Sequence, residues 1–344
     1  MNAAVVTGAG SALPGVLDQA GLWADHFAAH SGDARRVAER IWLASGITTR
    51  RGVVDPRIED VSAWGTGARM DRFMTEAMPL GKEAVATALD AAELDPGEVG
   101  LFAVVSCTGY GTPGLDIRLA ADLGMRDDVQ RLHIGHMGCY AALPGLGAVS
   151  DFVVARQRPA VLLCVELTSL HAQPPTDDLQ QVVAHALFSD AAAALVVQPG
   201  APAGWEVVDS SAVTDPTTAS FMTWDVTDLG FRMGLSPEVP GALARHARPA
   251  VEALLRRHGL VPEDVAHWAV HPGGRRIVEV VGESLDLDEA QLAASYAVLD
   301  TCGNCSSSTV LLVLARLAAE PGEWCVAMAF GPGLTLCSTL LRRR

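Results

Sequence analysis

No apolar run in this chain reaches the roughly 18 residues that a membrane-spanning helix needs, and the longest candidate, TVLLVLARLAA, is cut by Arg316. The N-terminus, MNAAVVTGAG, has no basic region before its apolar residues and turns at once to glycine, so it does not read as a secretory signal. A cytoplasmic protein without membrane insertion is expected. Positive charge is also scarce: 25 Lys and Arg stand against 40 Asp and Glu, a net charge of −15. That balance argues against nucleic acid or an anionic membrane as the main partner. Anionic small molecules stay possible where arginines cluster, as at Arg35, Arg36, Arg40, Arg50 and Arg51, and again at Arg275 and Arg276. There is no H-E-x-x-H or Walker motif. Cys302 and Cys305 form a C-x-x-C without the second ligand pair a zinc site requires, so no metal is expected.

What is present describes a compact globular chain: 344 residues, 49% hydrophobic, with 33 Gly and 19 Pro. Seven cysteines without secretory context imply free thiols, and Cys164, Cys325 and Cys337 sit in apolar runs as small buried hydrophobes. Read as a redox pair, Cys302 and Cys305 would form a reversible disulfide with no acyl chemistry. Short apolar strands are expected at 99–107, 160–166, 191–197, 265–271 and 323–330, alternating with amphipathic helical segments such as 82–92 and 241–257. Alternation of this kind indicates an α/β layered fold. The stretch TGAGSALPG (7–15) reads as a loop rather than a dinucleotide site, because its glycine spacing is wrong and no acidic partner follows.

The chain also repeats itself. LDPGEVGLFAV (94–104) matches LVPEDVAHWAV (260–270) at five positions, and the same offset of 166 residues carries Cys139 onto Cys305 and the strand at 160 onto 326. Two α/β halves are therefore expected, 1–200 and 201–344, meeting near the VVQPGAPAGW loop. Their strand ends would face a shared pseudo-twofold axis, where residues of both halves can form one site.

Cys139, in GHMGCYAALPG, follows a glycine turn and precedes an apolar helical pattern through Leu143, Leu146, Val149 and Val153. A helix start and a neighbouring imidazolium both stabilise a thiolate. From these residues alone Cys139 reads equally well as a structural thiol or a nucleophile. In the second half, His271 ends a strand before Pro-Gly-Gly, and Asn304 lies beside the repeat's counterpart of Cys139. Together they can donate two hydrogen bonds to one oxyanion. His136, three residues before Cys139, is the alternative base.

GHMGCYAALPG, ALFSDAAAALVV, HPGGRRIVE, GNCSSSTVL and FGPGLTLCSTLL, in this order, resemble the landmarks of type III polyketide synthases, the chalcone-synthase-like enzymes, over nearly the whole chain. Ketoacyl synthases of fatty-acid initiation share the Cys-His-Asn set but typically read H-Q-A-N where this chain has His271-Pro272-Gly273-Gly274. The resemblance implies a thiolase-like fold in α-β-α-β-α layers and a homodimer. It implies an acyltransferase using malonyl-CoA and acyl-CoA, with no permanently bound cofactor and no acyl carrier protein. Cys139 would carry the acyl chain. His271 would pair with the thiolate and, with Asn304, stabilise the enolate formed by malonyl decarboxylation, leaving His136 a bystander. A pyrone, resorcinol or related aromatic product is implied.

Further positions carry over by the same resemblance. Phe188 stands at the junction of CoA tunnel and reaction cavity, with Met233 in the place of its partner phenylalanine. Cys107 replaces a plant threonine. Thr112 replaces a methionine that plant enzymes extend into the partner's cavity. His171 and Trp224 are bulkier than their plant counterparts, while Ser306 is retained. Thr168, Gly273 and Gly333 complete the implied substrate-lining set, and Arg40 and Arg276 are the implied CoA-binding residues. A soft gate at Met233 points to an aliphatic starter, and the bulk of His171 and Trp224 to few extensions. Two other readings are a carrier-protein-dependent ketoacyl synthase and a non-catalytic acyl-CoA-binding member of the family.

Overall fold

A computed structural model describes residues 3–344. The first half carries strands β1 (Ala4–Ala12), β2 (Gly15–Asp18), β3 (Thr49–Gly52), β4 (Leu101–Ser106), β5 (Gln130–Gly135), β6 (Ala160–Leu167) and β7 (Asp190–Pro199). The second carries β8 (Trp205–Thr214), β9 (Met222–Thr227), β10 (Gly230–Leu235), β11 (Val265–Val270), β12 (Trp324–Gly331) and β13 (Thr335–Arg343). The principal helices of the first half are α1 (Arg35–Leu43), α2 (Thr66–Ala91), α3 (Leu115–Asp122), α4 (Ala142–Arg156) and α5 (Leu179–Leu187). Those of the second are α6 (Val239–Arg256), α7 (Arg275–Leu285), α8 (Glu289–Cys302) and α9 (Ser308–Leu314).

Nine strands make one mixed sheet in the order β11-β12-β13-β8-β1-β7-β6-β4-β5. The pairing pattern is the same on either side of the short β1/β8 junction. β4 pairs β6 in parallel, and β6, β7 and β1 follow antiparallel. Likewise β11 pairs β12 in parallel, and β12, β13 and β8 follow antiparallel. A one-turn 3-10 helix precedes β4 at Pro96–Glu98 and β11 at Pro262–Asp264, within the repeated segments.

Period-two alternation sorts the strand residues into layers. Ala103, Leu162 and Leu195 from one half, and Ala269, Ala327 and Leu341 from the other, face the same core, which contains α4 and α9. Phe102, Val104 and Leu163 point the opposite way, onto α2 and α3. Trp268, Val326 and Met328 point onto α6 and α7. The result is α-β-α-β-α layering with α4 and α9 in the middle. Being central, α9 is apolar and buried all round (STVLLVL). Its Ser308 hydroxyl donates to the carbonyls of Cys164 and Ala191, so the polar group is satisfied where it is buried.

The glycine-rich stretch 7–15 departs from the expected loop, since residues through Ala12 are strand β1. The reason is packing. A Cβ on Gly8 would lie 2.1 Å from the Ala88 carbonyl, and one on Gly10 would lie 2.2 Å from that of Ala84. Helix α2 therefore crosses β1 so closely that only glycine fits. Among the described residues no helix is long and apolar enough to cross a membrane.

Candidate active site

Cys139 and Cys305 occupy matching places, each three residues before its central helix, α4 or α9. The turn that presents Cys139 is tight. Gly138 has φ +78°, and a Cβ there would lie 2.4 Å from Pro332 Cδ, so the end of β12 presses on the turn. His271 directly follows β11, and Asn304 lies between α8 and α9. All three are buried, and they line one cavity of about 520 Å³ together with Phe188, Met233 and Phe330.

The polar contacts orient Asn304. Its Oδ1 accepts from Ser306 N–H at 2.9 Å, and its Nδ2 donates to the Gly273 carbonyl at 3.2 Å. Against the larger opposing effect of burial, Ser306 and Asn304 act to lower the Cys139 thiol pKa. Ser306 follows in a left-handed conformation, φ +49°. Among the described residues, neither buried ring nitrogen of His271 has a hydrogen-bond partner. Burial pushes the Cys139 thiol up to about 12 and the His271 imidazole down to about 3. Burial thus holds each group toward its neutral form.

Phe188 and Met233 also line two smaller cavities beyond Cys139. One, about 10 Å³, is bounded by Cys107, Thr168, Trp224 and Ser306. The other, about 70 Å³, includes Thr168, His171 and Trp224. Phe188 and Met233 thus separate the large cavity from the small ones. The bulky wall is pinned in place. Trp224 Nε1 donates to the Cys107 carbonyl at 2.7 Å. His171 Nδ1 accepts from Phe231 N–H at 3.0 Å, and its Nε2 lies 2.6 Å from the Thr108 carbonyl, which fixes the proton on Nε2. Burial lowers this imidazole to about 4, so it is neutral.

The remaining sequence candidates lie partly on the large cavity and partly away from it. Gly273 lines the large cavity, and its carbonyl holds Asn304. Gly333 lies in the Pro332–Leu334 turn, with φ +75°. Thr112 is exposed. Arg276 lines the cavity, but its guanidinium is ion-paired with Glu283 at 2.9 Å and Glu279 at 3.3 Å. Arg40 is exposed on α1, one turn before Ala44, which lines the cavity. His136 is exposed and lies edge-on to Tyr110 and Phe231. Cys302 and Cys305 are both buried free thiols. Among the described residues no group of three or more His, Cys, Asp or Glu side chains could hold a metal ion.

Sequence reasoning missed Glu166. Fully buried beneath Cys107, it accepts from Thr108 Oγ1 at 2.8 Å, Cys107 N–H at 3.0 Å and Ser307 Oγ at 2.5 Å. Burial raises its pKa while these donors oppose the shift. Ser306 Oγ lies 3.3 Å from Cys107 Sγ, so a polar floor runs from Glu166 through Cys107 to Ser306. The signal was a lone carboxylate in the otherwise apolar run AVLLCVEL.

Comparison with known proteins gives consistent matches. The family model for the N-terminal domain of chalcone and stilbene synthases matches residues 25–201, and that for the C-terminal domain matches 206–343. The chain is 36% identical over 322 residues to 1,3,6,8-tetrahydroxynaphthalene synthase of Streptomyces peucetius subsp. caesius, covering 90% of this chain and 85% of that protein. It is 33% identical over 314 residues to the alpha-pyrone synthesis polyketide synthase-like Pks18 of Mycobacterium tuberculosis, covering 86% and 80%. In structure it is similar to PKS-I of the brown alga Ectocarpus siliculosus, with TM-score 0.93, 31% identity and coverage of 100% and 99%. It is also similar to 1,3,6,8-tetrahydroxynaphthalene synthase of Streptomyces coelicolor A3(2), with TM-score 0.92, 26% identity and coverage of 99% for both chains.

Proposed function

Because the chain belongs to the chalcone and stilbene synthase family of type III polyketide synthases, we propose that it extends an acyl-CoA starter with malonyl-CoA on Cys139 and cyclises the product. It is a condensing acyltransferase that acts on CoA thioesters without a resident cofactor. The observation that carries the assignment of roles is the meeting of Cys139, His271 and Asn304 in one buried cavity, with two His271 nitrogens unpartnered among the described residues.

In the proposed sequence, Cys139 passes its proton to His271 and attacks the starter thioester carbonyl, and CoA leaves with a proton. The acyl enzyme is neutral, which suits a site whose burial disfavours charge. Malonyl-CoA then enters the large cavity and loses CO2. The electron pair left behind forms an enolate, whose oxygen accepts from the His271 N–H and the Asn304 NH2. One fixed donor of this kind contributes on the order of 3 kcal/mol in a dry site. The enolate carbon attacks the Cys139 thioester, and the sulfur departs as thiolate. Return of the lengthened chain from CoA to Cys139 resets the cycle.

Phe188 and Met233 serve as the gate between cavity and chamber, and Trp224 and His171 limit the chamber. Thr168, Cys107 and Ser306 line its floor. The narrow chamber favours few extensions and a small pyrone, resorcinol or related aromatic ring. Arg40 and Arg276 are assigned to the CoA phosphates at the mouth. The halves 1–200 and 201–344 are taken as the two repeated units, one giving Cys139 and the other His271 and Asn304. A homodimer across β5 is supported by the open edge of that strand, which pairs only with β4 and exposes most of its residues, including Leu132. Thr112 would then face the partner subunit. The seven free thiols support a reducing, cytoplasmic setting.

The test is turnover of malonyl-CoA with a panel of acyl-CoA starters. Cys139→Ala is expected to abolish chain extension. His271→Ala and Asn304→Ala are each expected to cut malonyl decarboxylation about 100-fold or more. Undiminished extension by Cys139→Ala would remove the nucleophile assigned here.

A further inference from the structure

The gate residue Phe188 and the enolate donor Asn304 belong to one hydrogen-bonded unit. Asn304 N–H donates to the Leu187 carbonyl at 2.9 Å, and Ser189 N–H donates to the Asn304 carbonyl at 2.9 Å. This bridge diverts Ser189 N–H from the His185 carbonyl, its partner had α5 continued. Both the His185 and the Phe188 carbonyls accept instead from Arg50 Nη1, the second at 3.0 Å. Arg50 is 5% exposed, and its guanidinium lies 4.9 Å from the centre of the Trp42 ring.

Arg50 is one link of a strap running from Thr48 to Arg51. Thr48 N–H donates to the Asp300 carbonyl at 2.9 Å, and Thr49 Oγ1 donates to the Thr301 carbonyl at 3.0 Å, so the strap grips the end of α8. Arg51 N–H donates to Ser189 Oγ at 2.8 Å, and that hydroxyl donates back to the Arg51 carbonyl at 3.0 Å. Between the two grips lies Gly303. A Cβ there would lie 3.0 Å from Ser189 Cβ, 3.2 Å from the Leu187 carbonyl and 3.4 Å from Arg50 Cγ. The strap, the gate segment and the approach to Asn304 are therefore packed without slack.

We propose that Arg50 is a positioning residue for the condensation: through the carbonyls of His185 and Phe188 it holds the gate side chain and the Asn304 amide in mutual register. A misplacement of this kind costs turnover rather than binding, because it displaces a donor aimed at the developing enolate. Arginine suits the task because its buried, fixed fork serves two carbonyls from one nitrogen while its face stacks on Trp42.

The inference rests on the roles given to Asn304 and Phe188 above, and the experiment separates the two. Wild type, Arg50→Met, Arg50→Lys and Ser189→Ala are compared for malonyl-CoA decarboxylation. Rates are normalised to the Cys139 sites that a starter acyl-CoA labels, counted by intact-protein mass spectrometry. In Arg50→Met the per-site kcat is expected to fall about 10-fold or more with KM for malonyl-CoA changed less than about twofold. Arg50→Lys, which keeps a donor to the carbonyls, recovers part of the loss, and Ser189→Ala shows the same kcat-weighted defect at smaller size. If Arg50→Met does not fold, the Ser189→Ala and Arg50→Lys kcat/KM splits decide. Fewer labelled sites with unchanged per-site kcat in these variants would show a merely structural arginine and overturn the proposal. A wild type that labels no Cys139 and releases no CO2 would sink the condensation reading itself.

Discussion

At Cys139 and His271, burial pushes two groups in opposite directions, one to about 12 and the other to about 3, and both toward neutrality. We predict that formation of a reactive thiolate depends on the imidazole as proton acceptor. In His271→Ala the thiol stands alone with its raised pKa. Its iodoacetamide alkylation rate is expected to climb about tenfold per pH unit from pH 7 to 9 without a plateau. Wild type should be alkylated faster at pH 7 and depend less steeply on pH. Superimposable profiles would remove His271 as the thiol's partner. A second prediction concerns Trp224, whose indole bounds a chamber of about 10 Å³ and is held by the Cys107 carbonyl. Trp224→Gly should open that space and lengthen the main product by at least one malonyl unit, read by mass spectrometry. An unchanged product length would place the limit elsewhere. Cys139, His271 and Asn304 were legible as candidates because their motifs are local. Glu166 was not, because its partners Cys107, Thr108 and Ser307 come from other parts of the chain.

At the scale of elements, the five expected apolar strands correspond to β4, β6, β7, β11 and β12, and the two named helical segments fall on α2 and α6. In contrast, β2, β3, β5, β8, β9, β10 and β13 were not read from apolar runs. Residues 7–12 carry glycine and small residues that read as a loop, yet they form β1 because α2 crosses it at backbone contact. Gly10→Ala is expected to destabilise the fold by about 1–3 kcal/mol, because its methyl group would meet the Ala84 carbonyl. Thermal unfolding measures this, and an unchanged Tm would mean that α2 can give way. The offset of 166 residues was readable because both repeats kept a proline-led turn ahead of a buried strand. The strap from Thr48 to Arg51 was not, since its four residues look like any short polar strand and their partners lie more than 130 residues away.

In the whole molecule, strands from the earlier and later parts of the chain join in a single nine-stranded sheet, and Cys139, His271 and Asn304 line one cavity. One sheet edge, β5, stays open and exposes Leu132 and neighbouring side chains. Leu132→Glu is expected to shift the protein from dimer to monomer by light scattering, and a dimer unaffected by the change would move the interface off this edge. We predict that this chain carries its substrate on Cys139 and lengthens it with carbon from malonyl-CoA. Intact-protein mass spectrometry after mixing with one acyl-CoA, then with malonyl-CoA, tests it most directly. The expected result is one acyl adduct per chain, mapped to Cys139, that on malonyl-CoA addition grows in two-carbon steps with matching CO2 release. Absence of an adduct on Cys139 with every starter, or CO2 release without chain growth, would contradict it.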